Sequence, residues 1–225
     1  MKQKLILSTF ILLFGFQTFA QLKPFRFGVK AAPNVAWISA DTRDYENDSP
    51  VLGFSWGFVA DITLMEHYFL KTGFNFDYLN GKLILPFKND SVSGTLHRKY
   101  NLRYLEIPLT FKMRTNQFGK FALFGHIGFG AGFRMKARSQ DELYNASGSL
   151  ILEEENDITD ELTLLRGSLI VGIGTEFFID QSTSIILDLT FNNGLSNILK
   201  GENSKTKEAQ KAYLHYFQLN IGVMF

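Results

Sequence analysis

Three features of the sequence predict an all-β fold, an eight-stranded antiparallel up-and-down β-barrel that crosses a membrane. Apolar residues recur with a period of two, not 3.6, in stretches of roughly ten residues or more. The connections between those stretches alternate between tight turns and long polar segments, as when short turns gather at one end of a barrel and long loops at the other. The second row of each stretch combines glycine with ions. That mixture suits the inside of a narrow ring and would be costly against lipid.

The first twenty residues stand apart from this pattern. MKQKLILSTFILLFGFQTFA has a basic start at Lys2 and Lys4, an apolar stretch from Leu5 to Phe16, and short residues at Thr18 and Ala20. The apolar stretch falls short of the ~20 residues a spanning helix needs, so it predicts a secretory signal peptide over 1–20, cleaved before Gln21. The barrel domain is then 21–225. Without Lys2 and Lys4 the mature chain carries 21 basic against 22 acidic residues, close to neutral. A balance of this kind offers no basic footprint for nucleic acid. The absence of cysteine excludes disulfides, thiolate metal sites, a cysteine nucleophile and a lipidated mature N-terminus.

The strands follow in order. FRFGVKAAPNVAWI (25–38) opens the series, and LGFSWGFVADITLM (52–65) and YFLKTGFNFDYL (68–79) are joined by the two-residue turn Glu66-His67. LRYLEIPLTFKMR (102–114) and KFALFGHIGFGAGFRMK (120–136) flank a short turn at 115–119. LLRGSLIVGIGTEFFI (164–179) and TSIILDLTFNN (183–193) flank another at 180–182, and YLHYFQLNIGVMF (213–225) closes the chain. Segments 39–51, 80–101, 137–163 and 194–212 are expected to be long polar loops.

Which row faces lipid follows from its chemistry. In 102–114, Leu105, Ile107, Leu109, Phe111 and Met113 share one face, and Tyr104, Glu106, Pro108, Thr110 and Lys112 the other. A soluble barrel with apolar rows inside would need a well-charged outside. Here the second row is small and glycine-rich, with Gly125, Gly128, Gly130 and Gly132 assigned to it in one strand. Parity also places Arg26, Lys30, Asp61, Lys71, Asp77, Glu106, Lys112, Arg134, Arg166, Glu176 and Asp188 on the inward row, six cationic and five anionic, together with His126. Ions that balance so closely favour a paired plug over the single-sign ring a selective pore requires.

The end of the chain fits the same scheme. Phe217, Leu219, Ile221, Val223 and Phe225 form one apolar row that ends flush with the chain. Closure needs this last strand to pair with the first, leaving no edge in lipid. The terminal Phe resembles the signal that outer-membrane barrel-assembly machinery reads. Phe25, Phe121, Phe177 and Phe225 are expected in the inner aromatic girdle, and Trp37, Trp56, Tyr78, Phe133 and Tyr213 in the outer one.

Chemistry-bearing candidates are few. His67 falls in a turn and His97 in a predicted loop, while His215 lies near the outer rim. No His-x-Ser accompanies His215, because position 217 is Phe, so a rim lipid-modifying enzyme is disfavoured. His126 has no second ligand at i±2, and no cofactor or metal is expected. EEEND (153–157) with Asp160 and Glu161, and Lys200, Lys205, Lys207 and Lys211, read as solvated loop charge that could also meet lipopolysaccharide phosphates and their cations. YNAS (144–147) is a chance glycosylation match.

NLRYLEIPLTFKMRTN (101–116), FALFGHIGFGAGF (121–133) and LIVGIGTEFFI (169–179) together resemble the PorT-type outer-membrane β-barrel family of Bacteroidetes-like bacteria, with YLEIPL the most specific piece. The resemblance spans roughly 22–225 and implies export to the cell outer membrane of a Gram-negative bacterium. It also implies a non-enzymatic structural or interaction role, accessory to type IX protein secretion, with secretion-system components as partners. A small pore or transporter is the alternative function.

Overall fold

The computed structural model describes residues 24–88, 93–203 and 208–225. The expected signal peptide lies outside the described residues. Eight strands close a ring in which every neighbour is antiparallel: β1 (Phe25–Ala40), β3 (Val51–Met65), β4 (Tyr68–Lys88), β5 (Ser93–Arg114), β6 (Phe121–Asn145), β8 (Leu165–Phe178), β9 (Ser184–Gly194) and β10 (Ala212–Met224), with β10 returning to β1. Two further strands lie outside the ring, β2 (Glu46–Asn47) on β4 and β7 (Leu150–Asp157) on β6. A 3-10 turn at Thr159–Glu161 is the only helical element among the described residues.

Closure is made by Lys30 opposite Gly222 and Val35 opposite Phe217, and it continues past the last strand residue, where the Phe225 amide donates to the Phe27 carbonyl at 2.7 Å. No backbone edge is left in the ring, which a strand in lipid requires. Register is fixed by the side chains, since a slip of one residue would turn every ion outward.

Two of the expected loops are largely strand. Segment 80–101 continues β4 and β5 into one long hairpin, with pairing from Asn80–Asn101 to Lys88–Ser93. Segment 137–163 continues β6 to Asn145 and returns as β7. At about 3.3 Å per residue the 25 residues of β6 run some 80 Å, far more than the roughly 25 Å apolar band of an outer-membrane barrel needs. Both hairpins therefore stand well outside the membrane.

The reason these segments stay extended is a reversal of sidedness within single strands. Along β5 the outward residues from Met113 to Leu105 are apolar and the inward Lys112, Thr110 and Glu106 polar. Beyond that point the inward Tyr104, Leu102 and Tyr100 are apolar and buried, and the outward Arg103, Asn101 and Lys99 polar. β4 reverses between Asp77 and Leu79, and β10 between Gln218 and Leu214. A β-bulge at Met135 accompanies the change on β6, pairing Arg103 with Lys136 and Tyr104 with Arg134. Lower on β4, Gly73 has a φ of +144° that is open only to glycine, and a Cβ there would lie 2.1 Å from the Phe58 carbonyl oxygen.

Candidate functional site

The interior is the chemically dense part of the molecule, and it is layered. Nearest the short turns, Glu176 accepts from Arg26 at 3.1 Å, Arg114 at 3.0 Å and Lys112, while Lys112 also donates to Asp61 at 2.6 Å. Arg26 reaches Ser184 at 2.5 Å. In the middle layer Lys71 pairs with Asp188 at 3.2 Å, and Asp188 also accepts from Thr190 and Asn220 at 2.6 and 2.7 Å. Lys30 donates to Asn220 at 3.0 Å. In the upper layer Glu106 accepts from Arg166 at 3.2 Å, Tyr216 at 2.8 Å and Asn192 at 2.9 Å.

Glycine makes room for these long side chains. A Cβ on Gly130 would come within 2.6 Å of both Glu106 Oε1 and Ser168 Oγ, and one on Gly172 within 2.2 Å of His126 Nε2. Gly128, Gly130 and Gly132 face inward, but Gly125 does not; by alternation from Phe124 and His126 it lies on the outer row, where a Cβ would meet little. Arg134 also departs from the expected network. It keeps the inward register opposite Tyr104, just below the Met135 bulge, yet donates to the Leu162 carbonyl at 2.6 Å instead of to a carboxylate.

Asp77 is buried in the upper layer, and neither of its oxygens has a hydrogen-bond partner among the described residues. A cavity of about 20 Å³ bordered by Lys30, Lys71, Asn75, Glu106, His126 and Asn192 has room for roughly one water molecule. His126 sits beside it, 3.4 Å from Thr190 Oγ1 and 3.8 Å from Asp188. Among the described residues no group of three or more His, Cys, Asp or Glu side chains converges as a metal site.

Above the ions the barrel is sealed by a hydrophobic core that sequence reasoning missed. Ile38, Leu79, Leu83, Leu102 and Leu214 from the walls pack with Ile158, Leu162, Ile198 and Leu199 from the outer connections. Arg98 fastens this plug: it forks onto Asp141 at 2.8 and 2.7 Å and reaches Glu161 on the 3-10 turn at 2.7 Å. Burial opposes the Arg98 charge, but the hydrogen bond to Asp141 together with the charge interactions with Tyr100, Asp141 and Glu161 outweighs it and holds the guanidinium pKa above its ordinary value. Burial against the plug also pushes the Tyr100 hydroxyl up.

The remaining candidates are spread over the outside. His215 stacks on Trp37 at 5.7 Å, His97 contacts Tyr144 at 5.0 Å, and His67 is in the β3–β4 turn. Phe217, Leu219, Ile221 and Phe225 are exposed on the outer row with Val223, and the Phe225 ring lies 5.9 Å from Phe27. Trp56, Tyr78 and Phe133 are exposed at one level, and Phe25, Phe121 and Phe225 at the other. Glu153–Asp157 belongs to exposed β7. Lys200 and Lys211 are exposed, while Lys205 and Lys207 lie outside the described residues.

An antiparallel ring closed without an edge, apolar outside and ionic inside over the span of a bilayer, defines a transmembrane β-barrel. The chain belongs to the outer membrane protein beta-barrel domain family, which matches residues 19–200. That membership carries an outer-membrane location. Among solved structures, Neisserial surface protein A is 12% identical with a TM-score of 0.50, covering 90% of this chain and 96% of its own. Ail, the attachment invasion locus protein of Yersinia pestis, is 14% identical with a TM-score of 0.42 over 89% and 98%. OprG from Pseudomonas aeruginosa is 10% identical with a TM-score of 0.45 over 89% and 95%. Such identities speak to fold alone, and no curated protein matches the sequence.

Proposed function

We propose that the protein is a closed, non-enzymatic outer-membrane barrel of the PorT type that acts through its surface as a structural or interaction component accessory to type IX protein secretion. The observation that carries this reading is the filled interior. Stacked ion pairs below and an apolar plug above leave a cavity for roughly one water, so neither a solute path nor a substrate cleft runs through the barrel. What remains available to partners is the lipid-facing wall and the long hairpins outside it. The YLEIPL segment supports the PorT assignment, and the chain is exported by the signal peptide over residues 1–20. The outward row from Phe217 to Phe225, held against β1, is offered to the assembly machinery.

A deletion strain tests the secretion role. Type IX cargo should accumulate in the periplasm and return to the medium when the gene is restored. Normal cargo release from the deletion strain removes that role. Planar-bilayer recording of the purified barrel should show no steady conductance, and stepwise open channels would favour a pore.

A further inference from the structure

We infer that Lys30 and Asn220 join in an intramolecular amide bond, an isopeptide that ties the first strand of the barrel to the last.

The two side chains meet across the closure seam. Lys30 on β1 donates from Nζ to Asn220 Oδ1 on β10 at 3.0 Å. Three more bonds hold the Asn220 amide in one orientation. Gln218 Nε2 donates to the same Oδ1 at 2.9 Å, while Asn220 Nδ2 donates to Asp188 Oδ1 at 2.7 Å and to Thr190 Oγ1 at 3.2 Å. Asn220 and these three partners are all buried.

Lys30 differs from the other lysines of the lumen. Lys71 pairs with Asp188 at 3.2 Å and Lys112 with Asp61 at 2.6 Å, whereas Lys30 makes no ion pair among the described residues. Asp188, Asp77 and Glu106 act on it only at longer range. It borders the same cavity as Lys71. An amine drawn out of bulk water, with no carboxylate in contact and a second cation nearby, is the kind of lysine that acts as a nucleophile.

The bond forms without any reagent beyond the protein. Lys30, as the free amine, attacks Asn220 Cγ; the Cγ–Nδ2 bond breaks, and Nδ2 leaves as ammonia with the proton that the attacking nitrogen releases. Negative charge gathering on Oδ1 in the tetrahedral intermediate meets the Gln218 amide donor. Asp188, bonded to Nδ2 and to Thr190 Oγ1 at 2.6 Å, is placed to pass the proton to the departing nitrogen.

This link lies where the backbone ladder of the seam is interrupted. Pairing of β1 with β10 runs to Ala31 and Ile221 and resumes at Asn34 and Gln218, because Pro33 between them has no N–H to give. The cross-link closes a loop across 190 residues, which removes freedom from the unfolded chain and keeps β1 from parting from β10.

The test is the mass of the folded chain. Residues 21–225 are refolded from urea into detergent behind an initiator methionine, since a free N-terminal Gln21 would itself lose ammonia on cyclising. Before refolding the intact mass should equal that of the sequence. After refolding it should fall by one ammonia, and digestion should release one joined pair of peptides containing Lys30 and Asn220. Lys30→Arg and Asn220→Ala, shown to be folded by a heat-dependent gel shift, should keep their full mass. A folded wild-type barrel that keeps its full mass after prolonged incubation, or an ammonia loss that persists in Lys30→Arg, overturns the assignment.

Discussion

Replacing Glu176 by Gln changes one oxygen for an amide and removes the anion on which three cations converge. Glu176 is fully buried, and it accepts from Arg26 at 3.1 Å, Arg114 at 3.0 Å and Lys112. Removing one partner of a buried ion pair typically costs about 3 to 5 kcal/mol, because the other charge is left without compensation. Two features place this case at the lower end. Lys112 keeps Asp61 at 2.6 Å, and the Arg114 side chain is 20% exposed at the barrel mouth, where it can turn to water. The expected loss is therefore about 3 kcal/mol, or roughly 150-fold in the unfolding equilibrium constant.

Urea unfolding of the barrel refolded in detergent, followed by fluorescence of Trp37 and Trp56, measures that loss directly. Arg114→Gln provides the comparison and should cost less than about 1 kcal/mol, since its charge is partly solvated and Glu176 keeps two cations. If Glu176→Gln unfolds within about 1 kcal/mol of the wild type, the lower layer is not held by its anion and the reasoning fails.

Leu109→Arg, on the outward row, should cost about 2 to 4 kcal/mol for the barrel in a bilayer, read by equilibrium refolding into vesicles. Gly172→Ala should cost about 1 to 3 kcal/mol, because its Cβ would lie 2.2 Å from His126 Nε2, and the second change His126→Ala should recover most of that loss in the same urea assay. Deleting Phe225 removes a ring 5.9 Å from Phe27, worth about 1 kcal/mol, so refolding into micelles should be nearly normal. In cells the deleted chain should accumulate poorly in the outer membrane, as should one extended by polar residues; normal levels of both would show that the terminus carries no assembly signal.

The membrane half of the fold was legible in the sequence because its physics is local. A strand in lipid must place apolar side chains outward at every second position, so Leu105 through Met113 and Phe217 through Phe225 declare themselves without knowledge of any neighbour. The ions of the inward row follow from the same parity, whereas their partners do not. Arg26 and Glu176 are 150 residues apart, and only the closed ring brings them to 3.1 Å. Arg134 stands opposite Tyr104 on the inward row as parity counts it, but parity cannot show that it donates to the Leu162 carbonyl of an outer connection. The long hairpins read as loops in the sequence because their outward residues are polar, and their inward ones, such as Leu83, Leu85 and Tyr100, form a buried row of opposite phase to the membrane strands.

That change of phase has a physical origin. Within the bilayer the outside of the barrel is already apolar, and burying hydrocarbon in the interior gains nothing over leaving it in lipid, so the lumen can be filled by paired ions. Above the bilayer the same strands stand in water. There an apolar inward row is the only source of hydrophobic stabilisation, and Leu79, Leu83, Leu102 and Leu214 supply it with Ile158, Leu162, Ile198 and Leu199. One ring of strands is thus inside-out below the reversal and an ordinary water-soluble barrel above it. The reversal between Leu105 and Arg103 on β5, and between Tyr78 and Asn80 on β4, marks the outer membrane surface from the sequence itself. The plug follows from that boundary: a hairpin wall long enough to leave the membrane needs a core, and the core closes the barrel.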